Sequence, residues 1–307
     1  MIFVIGPTSS GKTSLALKLC ERLNGEIISA DSRQIYKHFD VGTGKLPLNA
    51  KKFEIEKNDR NWTINGVNIW LYDVCEPNVK YSVADFQRDA QSCIAEIESR
   101  KKTPIIVGGT GFYVDSFLGG SFEEDLKPNW EFRKSIETLS IQELRNRLPK
   151  NILNEMNNSD ANNPHRLIRR IELLELYNVE SRESKSFDLT LHKTVYLYRT
   201  RDDLFARADK WAQEIWPPLL TEVEGLLKAG YSDTTPMEGI IYKTAKEFIE
   251  GKANEQDSLE RIKFDLHAYI RRQQTWFKKY EKFSRKINPD QGILFNKMAS
   301  IIDYIVQ

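Results

Sequence analysis

Ile2-Phe3-Val4-Ile5-Gly6-Pro7-Thr8-Ser9-Ser10-Gly11-Lys12-Thr13 opens the chain with an apolar run that breaks into a glycine-bounded loop. Four apolar residues followed by Gly6-Pro7 read as a buried parallel strand that stops abruptly. From Lys12 onward the apolar positions Leu15, Ala16, Leu19 and Leu23 recur three or four apart, the period of a helix. The segment between has the form Gly, four residues, Gly-Lys-Thr, and such a loop between a strand and a helix cradles polyphosphates. Gly6 and Gly11 let the backbone curl so that the N–H groups of Pro7-Thr8-Ser9-Ser10 and their neighbours can turn inward, proline excepted. The helix start adds partial positive charge and Lys12 a full one, while the Thr13 hydroxyl is placed to bind magnesium. These eight residues leave open which polyphosphate is held.

Outward from the loop, strands are expected at Glu26–Ser29, Val67–Val74, Pro104–Val107 and Thr194–Arg199, with helices at Lys12–Leu23 and Val83–Arg100. The alternation predicts an α/β fold: a P-loop NTPase-like core with a parallel sheet covered on both faces. Between about Gly120 and Lys193 only short helical patterns rich in Asn, Arg and Glu occur. They predict an all-helical insertion, 120–193, between two segments of the catalytic core, 1–119 and 194–307. The C-terminal part reads as helical: Asp202 to about Lys228, Thr244–Glu250, and about Gln256 to Phe283. In the last of these, Leu259, Ile262, Leu266, Tyr269, Gln273, Trp276 and Tyr280 fall on one face. Trp216-Pro217-Pro218 is a candidate early end for the first.

Charged residues are 29% and hydrophobic residues 40% of the 307, which is ordinary for a globular protein. No apolar run approaches the roughly 20 residues of a membrane span. No leader precedes the first strand, and Cys20, Cys75 and Cys93 form neither a zinc pattern nor a disulfide framework, so a cytoplasmic protein with reduced thiols is expected. The net charge of +1 argues against a uniformly basic surface. Its distribution is uneven, however. Between Ile262 and Lys286 eight Lys and Arg residues face only Asp265 and Glu281, with Trp276, Phe277 and Tyr280 among them. This is either a solvated helix face or a phosphate-contacting one.

Three further stretches carry polar residues where chemistry is expected. Asp31 follows directly on the strand Glu26–Ser29, and ligands of parallel sheets bind beyond the carboxyl ends of strands. It can hold magnesium through water, act as a general base, or cap a turn. Gly108-Gly109-Thr110 ends another strand and offers close backbone approach and a hydroxyl. In Asn162-Asn163-Pro164-His165-Arg166, an Asn cap precedes a proline suited to a first helical turn, and Arg169 and Arg170 follow. Those arginines are either a solvated face or phosphate contacts.

Taken together, GPTSSGKT, ISADSRQIYKHFDVGTGK, YSVADFQRDA, PIIVGGTGFYVDSFLGG, NPHRLIRRIE and RRQQTWFKKY resemble the tRNA dimethylallyltransferases, also called tRNA isopentenyltransferases. They stand in family order from residue 6 to about residue 280. The resemblance implies that Gly6, Pro7, Thr8, Ser9, Ser10, Gly11, Lys12 and Thr13 hold the diphosphate of dimethylallyl diphosphate rather than ATP. It implies transfer of the dimethylallyl group to N6 of adenosine 37 in tRNA, with release of diphosphate. Asp31 is then the general base, Thr13 the magnesium ligand, and Lys12 and Arg207 the groups beside the leaving diphosphate. Asp31, Ser32, Arg33, Gln34 and Thr110 fall where the family meets the adenosine. Asn163, Pro164, His165 and Arg166 fall where its insertion meets the anticodon arm. Magnesium dependence is implied; separately, a monomer without membrane attachment is expected. Three departures from the family pattern stand out: Ile241-Tyr242-Lys243 where Gly-Tyr-Lys/Arg is usual, His165 in place of a common glutamine, and Trp216-Pro217-Pro218. The alternatives are an adenylate isopentenyltransferase, a P-loop small-molecule kinase, and a non-catalytic RNA-binding protein; the presence of Asp31, Lys12 and Thr13 together argues against the last.

Overall fold

A computed structural model describes residues 1–47, 50–118, 126–179, 192–288 and 295–306. The chain divides into two compact units, one formed by Met1–Leu118 with Asp188–Gln307 and the other by Gly119–Phe187.

The larger unit is built on one sheet. Its strands are β1 (Ile2–Ile5), β2 (Gly25–Ser29), β3 (Ile55–Lys57), β4 (Asn61–Ile64), β5 (Val67–Trp70), β6 (Thr103–Gly108), β7 (Lys193–Leu197) and β8 (Arg285–Ile287). Their order is β3-β4-β5-β2-β6-β1-β7-β8. From β5 to β8 every pairing is parallel, while β3, β4 and β5 pair antiparallel. The parallel core is as the apolar runs predict; the antiparallel arm is additional. The strand expected over Val67–Val74 ends at Trp70 because Leu71 and Asp73 take left-handed backbone angles, φ 66° and 57°, which extended pairing does not allow.

β1 lies between β6 and β7 and is buried at all four positions. Its side chains alternate between two cores, as a strand's period of two requires. Ile2 and Val4 pack with Leu15, Ala16 and Leu19 of α1 (Lys12–Leu23). Phe3 and Ile5 pack with Phe86 of α2 (Val83–Ser99), with Tyr113 and Val114 of α3 (Gly111–Leu118), and with Phe277.

Three helices follow β7: α9 (Arg201–Lys228), α10 (Ile240–Ile249) and α11 (Glu255–Phe277), and α12 (Phe295–Val306) closes the unit. Contrary to the early end weighed at Trp216-Pro217-Pro218, α9 continues through both prolines. Each interior proline costs about 3 kcal/mol. Against this, Ile215, Trp216, Leu219 and Val223 are all buried in the cluster shared with α10 and α11. At roughly 1.5–3 kcal/mol per buried side chain, the four together offset the cost of the two prolines.

The smaller unit holds α4 (Trp130–Ile136), α5 (Ile141–Asn146), α6 (Lys150–Glu155), α7 (Asn158–Ala161) and α8 (Pro164–Tyr177). Its core is Ile136, Leu144, Leu148, Ile152, Leu167, Ile168 and Ile171. Glu172 is fully buried within it. It pairs with Arg133 at 2.6 Å and with Arg169, and it accepts the Asn129 amide at 2.5 Å.

Candidate active site

The site forms where β1, β2 and β6 end on the same edge of the parallel sheet. The loop from Gly6 to Thr13 leaves β1 and enters α1. Gly11 sits at φ 96°, a left-handed conformation that a side chain resists, and this angle swings the chain directly into the helix. Lys12 folds back over the loop and donates from Nζ to the Pro7 carbonyl at 2.8 Å. Burial pulls its ammonium down to about 8, partly offset by the negative charge of Asp31. Thr13 is exposed at the first turn of α1.

Two arginines from the β7–α9 region fasten the loop's far side. Arg207 donates from Nε to the Ser9 carbonyl at 2.9 Å, and Arg199, itself 4% exposed, donates from Nε to the Ser10 carbonyl at 3.1 Å. Arg199 also pairs with Asp203 at 2.7 Å. Burial lowers its pKa, as does the neighbouring charge of Arg207. Arg207 is singled out only by the family resemblance. Arg199 carried no local signal, because nothing near it in sequence shows that it turns under a loop far away in the chain.

Asp31 stands just beyond β2. Its Oδ1 accepts the backbone N–H of Arg33 at 2.9 Å, which fixes the carboxylate's orientation. The Ser32 amide donates to Thr110 Oγ1 at 3.1 Å, so the β2 and β6 ends are tied together. The Asp31 charge is felt by Tyr72, Tyr113 and Tyr269, whose phenols burial pushes well above their ordinary range and which Asp31 raises further. All three therefore stay neutral around the carboxylate. Arg33 is exposed and donates from Nη1 to the Thr235 carbonyl at 3.0 Å. Gln34 is turned into the fold: its Oε1 accepts from Ser29 Oγ at 2.7 Å, and its Nε2 donates to the Thr43 carbonyl at 3.1 Å.

The stretch carrying Thr43 is held from behind. Glu222 of α9 accepts the amides of Asp40 and Val41, both at 2.9 Å, and the Tyr242 hydroxyl at 2.6 Å. Burial pushes this carboxyl up. The Tyr242 hydroxyl in turn accepts the Gly42 amide at 3.0 Å. The departure at Ile241-Tyr242-Lys243 thus keeps its tyrosine in a supporting position. Lys45, 2% exposed, donates to the Tyr36 carbonyl at 2.5 Å and pairs with Asp40 at 3.0 Å and with Asp73.

Loop, Asp31, Ser32, Arg33, Gln34, Thr110 and Arg207 all belong to the larger unit. Asn163, Pro164, His165 and Arg166 belong to the smaller one, where they start α8. Asn163 caps that helix by accepting the Arg166 amide at 3.3 Å, and Pro164 occupies the first turn. His165 is exposed, and Arg166 pairs with Asp160. Arg169 and Arg170 point elsewhere: Arg169 serves Glu172 and the Leu126 carbonyl, and Arg170 is 5% exposed and donates to the Val179 carbonyl at 3.3 Å. They are internal fastenings of the unit, a third possibility beside solvated face and phosphate contact.

The family model described as IPP transferase matches residues 34–280. The chain belongs to the IPP transferase family. Among its relatives is the tRNA dimethylallyltransferase of Acetivibrio thermocellus, 36% identical over 297 residues, covering 92% of this chain and 89% of that protein. That of Chloroflexus aurantiacus is 33% identical and covers 91% and 93%. Among solved structures, the tRNA delta(2)-isopentenylpyrophosphate transferase of Staphylococcus epidermidis superposes with a TM-score of 0.68 at 26% identity, covering 99% of this chain and 98% of its own. The full-length tRNA isopentenylpyrophosphate transferase of Bacillus halodurans gives 0.69 at 27%, covering 99% and 95%. The IPP transferase fold therefore spans the chain, and no described helix is long and apolar enough to cross a membrane.

Proposed function

We propose that this IPP transferase moves the dimethylallyl group of dimethylallyl diphosphate to N6 of adenosine 37 in tRNA and releases diphosphate. The observation that supports the reading is geometric: Asp31 just beyond β2 and the Gly6–Thr13 loop just beyond β1 stand at one edge of the sheet, with Lys12 folded over the loop.

An allylic diphosphate breaks its C–O bond with negative charge growing on the leaving oxygen and positive charge on the allyl carbon. Lys12, the free loop amides and the positive end of α1 stabilise the first. Arg207 stands at the loop's rim beside Ser9 and adds to this field. Adenine N6 is a weak nucleophile because its lone pair is delocalised into the ring. As the new N6–C bond forms, Asp31 accepts the N6 proton, so no charged adenine persists. The three tyrosines around it stay neutral and so do not compete for that role as phenolates. A base in an anticodon loop is unpaired, so its exit from the stack costs only a few kcal/mol. Ser32, Arg33 and Thr110 border the place it enters, with Gln34 setting the backbone behind them.

Magnesium fits the donors present. The Thr13 hydroxyl, exposed at the start of α1, offers an oxygen ligand, and water and diphosphate would complete the shell. When bound, the ion would neutralise the leaving diphosphate. Arg166 and His165, exposed at the start of α8, suit the backbone of the anticodon arm. The enzyme would work as a monomer in the cytoplasm.

The test is incubation with labelled dimethylallyl diphosphate and magnesium, offering either unmodified tRNA or AMP as acceptor. Label in tRNA at adenosine 37 is the expected result. Label in AMP would instead identify an adenylate isopentenyltransferase, and tRNA-independent ATP turnover a kinase or ATPase.

A further inference from the structure

Gln273 lies on α11, far in sequence from both substrate-binding segments, yet its side chain ends between them. It is 5% exposed. Its Oε1 accepts the Thr8 amide of the loop at 2.8 Å, and its Nε2 donates to the Gly109 carbonyl at 2.9 Å. Gly109 is the meeting point: a Cβ there would stand 2.6 Å from Gln273 Nε2 and 3.5 Å from Lys12 Nζ. The next residue is Thr110, whose hydroxyl accepts the Ser32 amide beside Asp31. One side-chain amide therefore links the diphosphate side of the site to the adenosine side, through Thr8, Gly109, Thr110 and Ser32.

The chemistry at the two ends is opposite. Thr8 presents an N–H and needs an acceptor; Gly109 presents a carbonyl and needs a donor. Among side chains of this length only a carboxamide offers both from one planar group. A carboxylate keeps the first bond and repels the second partner. A thioether of similar bulk keeps neither. The bond to Thr8 also withdraws one loop amide from the ligand, so Gln273 does not act by adding a phosphate contact.

We propose that Gln273 is a positioning residue that sets the separation between the leaving diphosphate and the Asp31–adenosine pair. The inference rests on the transfer reaction proposed above. Its consequence falls on the chemical step: a misplacement of about 1 Å between reacting groups costs on the order of a hundredfold in rate. Binding of either substrate alone, which uses one side of the site, is left nearly intact.

The test compares wild type, Gln273→Met and Gln273→Glu in steady-state transfer with tRNA, together with calorimetric binding of inorganic diphosphate with magnesium. Urea unfolding establishes that the variants are folded, and Gln273→Glu, which retains the Thr8 bond, carries the comparison if the methionine variant is not. The expected result is a fall in kcat of about a hundredfold with KM for both substrates and diphosphate affinity close to wild type. Unchanged kcat in a folded variant overturns the inference. So does a loss of diphosphate affinity as large as the loss of rate, because Gln273 would then serve the loop alone. Absence of transfer by wild type would instead refute the reaction itself, a separate outcome.

Discussion

Replacing Lys12 with methionine should stabilise the ligand-free protein while abolishing its hold on diphosphate. Burial takes the Lys12 ammonium from 10.5 to about 8. At about 1.4 kcal/mol per pKa unit, carrying that charge in the fold costs roughly 3 kcal/mol at neutral pH. Its hydrogen bond to the Pro7 carbonyl returns about 1 kcal/mol. Methionine keeps most of the apolar stem and drops the charge, so the net gain is about 2 kcal/mol. The sign fixes the pH window. With the folded pKa below the unfolded one, the cost is fully present below about 8 and fades as pH rises toward 10.5. Urea unfolding of both proteins across that window should therefore show a stability gap that narrows with pH. Adding magnesium diphosphate should reverse the order, since only wild type gains from a ligand that binds the folded state. A methionine variant less stable than wild type at pH 7, or a gap that ignores pH, would refute the argument.

Asp31→Asn should lower kcat by about 10²–10⁴ while leaving diphosphate binding intact, measured by single-turnover transfer and calorimetry. Arg169→Ala should destabilise the smaller unit by about 3 kcal/mol, because Glu172 stays buried with a partner removed, as hydrogen exchange in that unit would record. Arg166→Ala should spare stability and reduce the salt slope of tRNA binding by about 1. Glu26 is 1% exposed; burial raises its carboxyl, but Arg100, Lys102 and Trp70 outweigh this and bring it to about 2. Its stabilisation is therefore present above pH 4.5 and lost as pH falls toward 2, and Glu26→Gln should flatten the acid limb of a stability–pH curve in that window.

Legibility in the sequence followed the reach of each interaction. β1, the loop and α1 are written in adjacent residues, and their reading needs nothing distant. Asp31 and Thr110 stand out in the stretches around them, as residues just beyond strand ends, whereas Arg207 is singled out only by the family resemblance. β3 and β4 were not legible, because Ile55–Lys57 and Asn61–Ile64 are only three and four residues long, too short for the alternation of Trp62 and Ile64 to stand out, and their pairing comes from the antiparallel arm. The continuation of α9 through Pro217-Pro218 was hidden because local propensity points the other way, and only packing on α10 and α11 overrides it. Gln273 read as one more position on an amphipathic face, and Arg199 as the end of a strand. What makes each matter is a backbone group on the loop, brought near by folding alone. Gln34, expected against the adenosine, has its amide occupied by Ser29 and Thr43.

The place of β1 in the sheet has a consequence for synthesis. β1 leaves the ribosome before both of its neighbours, and those two arrive far apart in time. β7 follows β6 by roughly 85 residues, or about 4–17 s at ~5–20 residues per second. During that interval one edge of β1 is an unpaired, wholly apolar strand, the kind that recruits foreign strands. The residues translated in between can gather around Ile136, Leu144, Leu167 and Ile171 without waiting for the sheet. Arg199, Arg207 and Gln273, which fasten the loop, are translated later still. The nascent chain therefore carries the Gly6–Thr13 loop long before it carries the parts that give the loop its shape, and a chain stalled before β7 has the motif without the residues that fasten it.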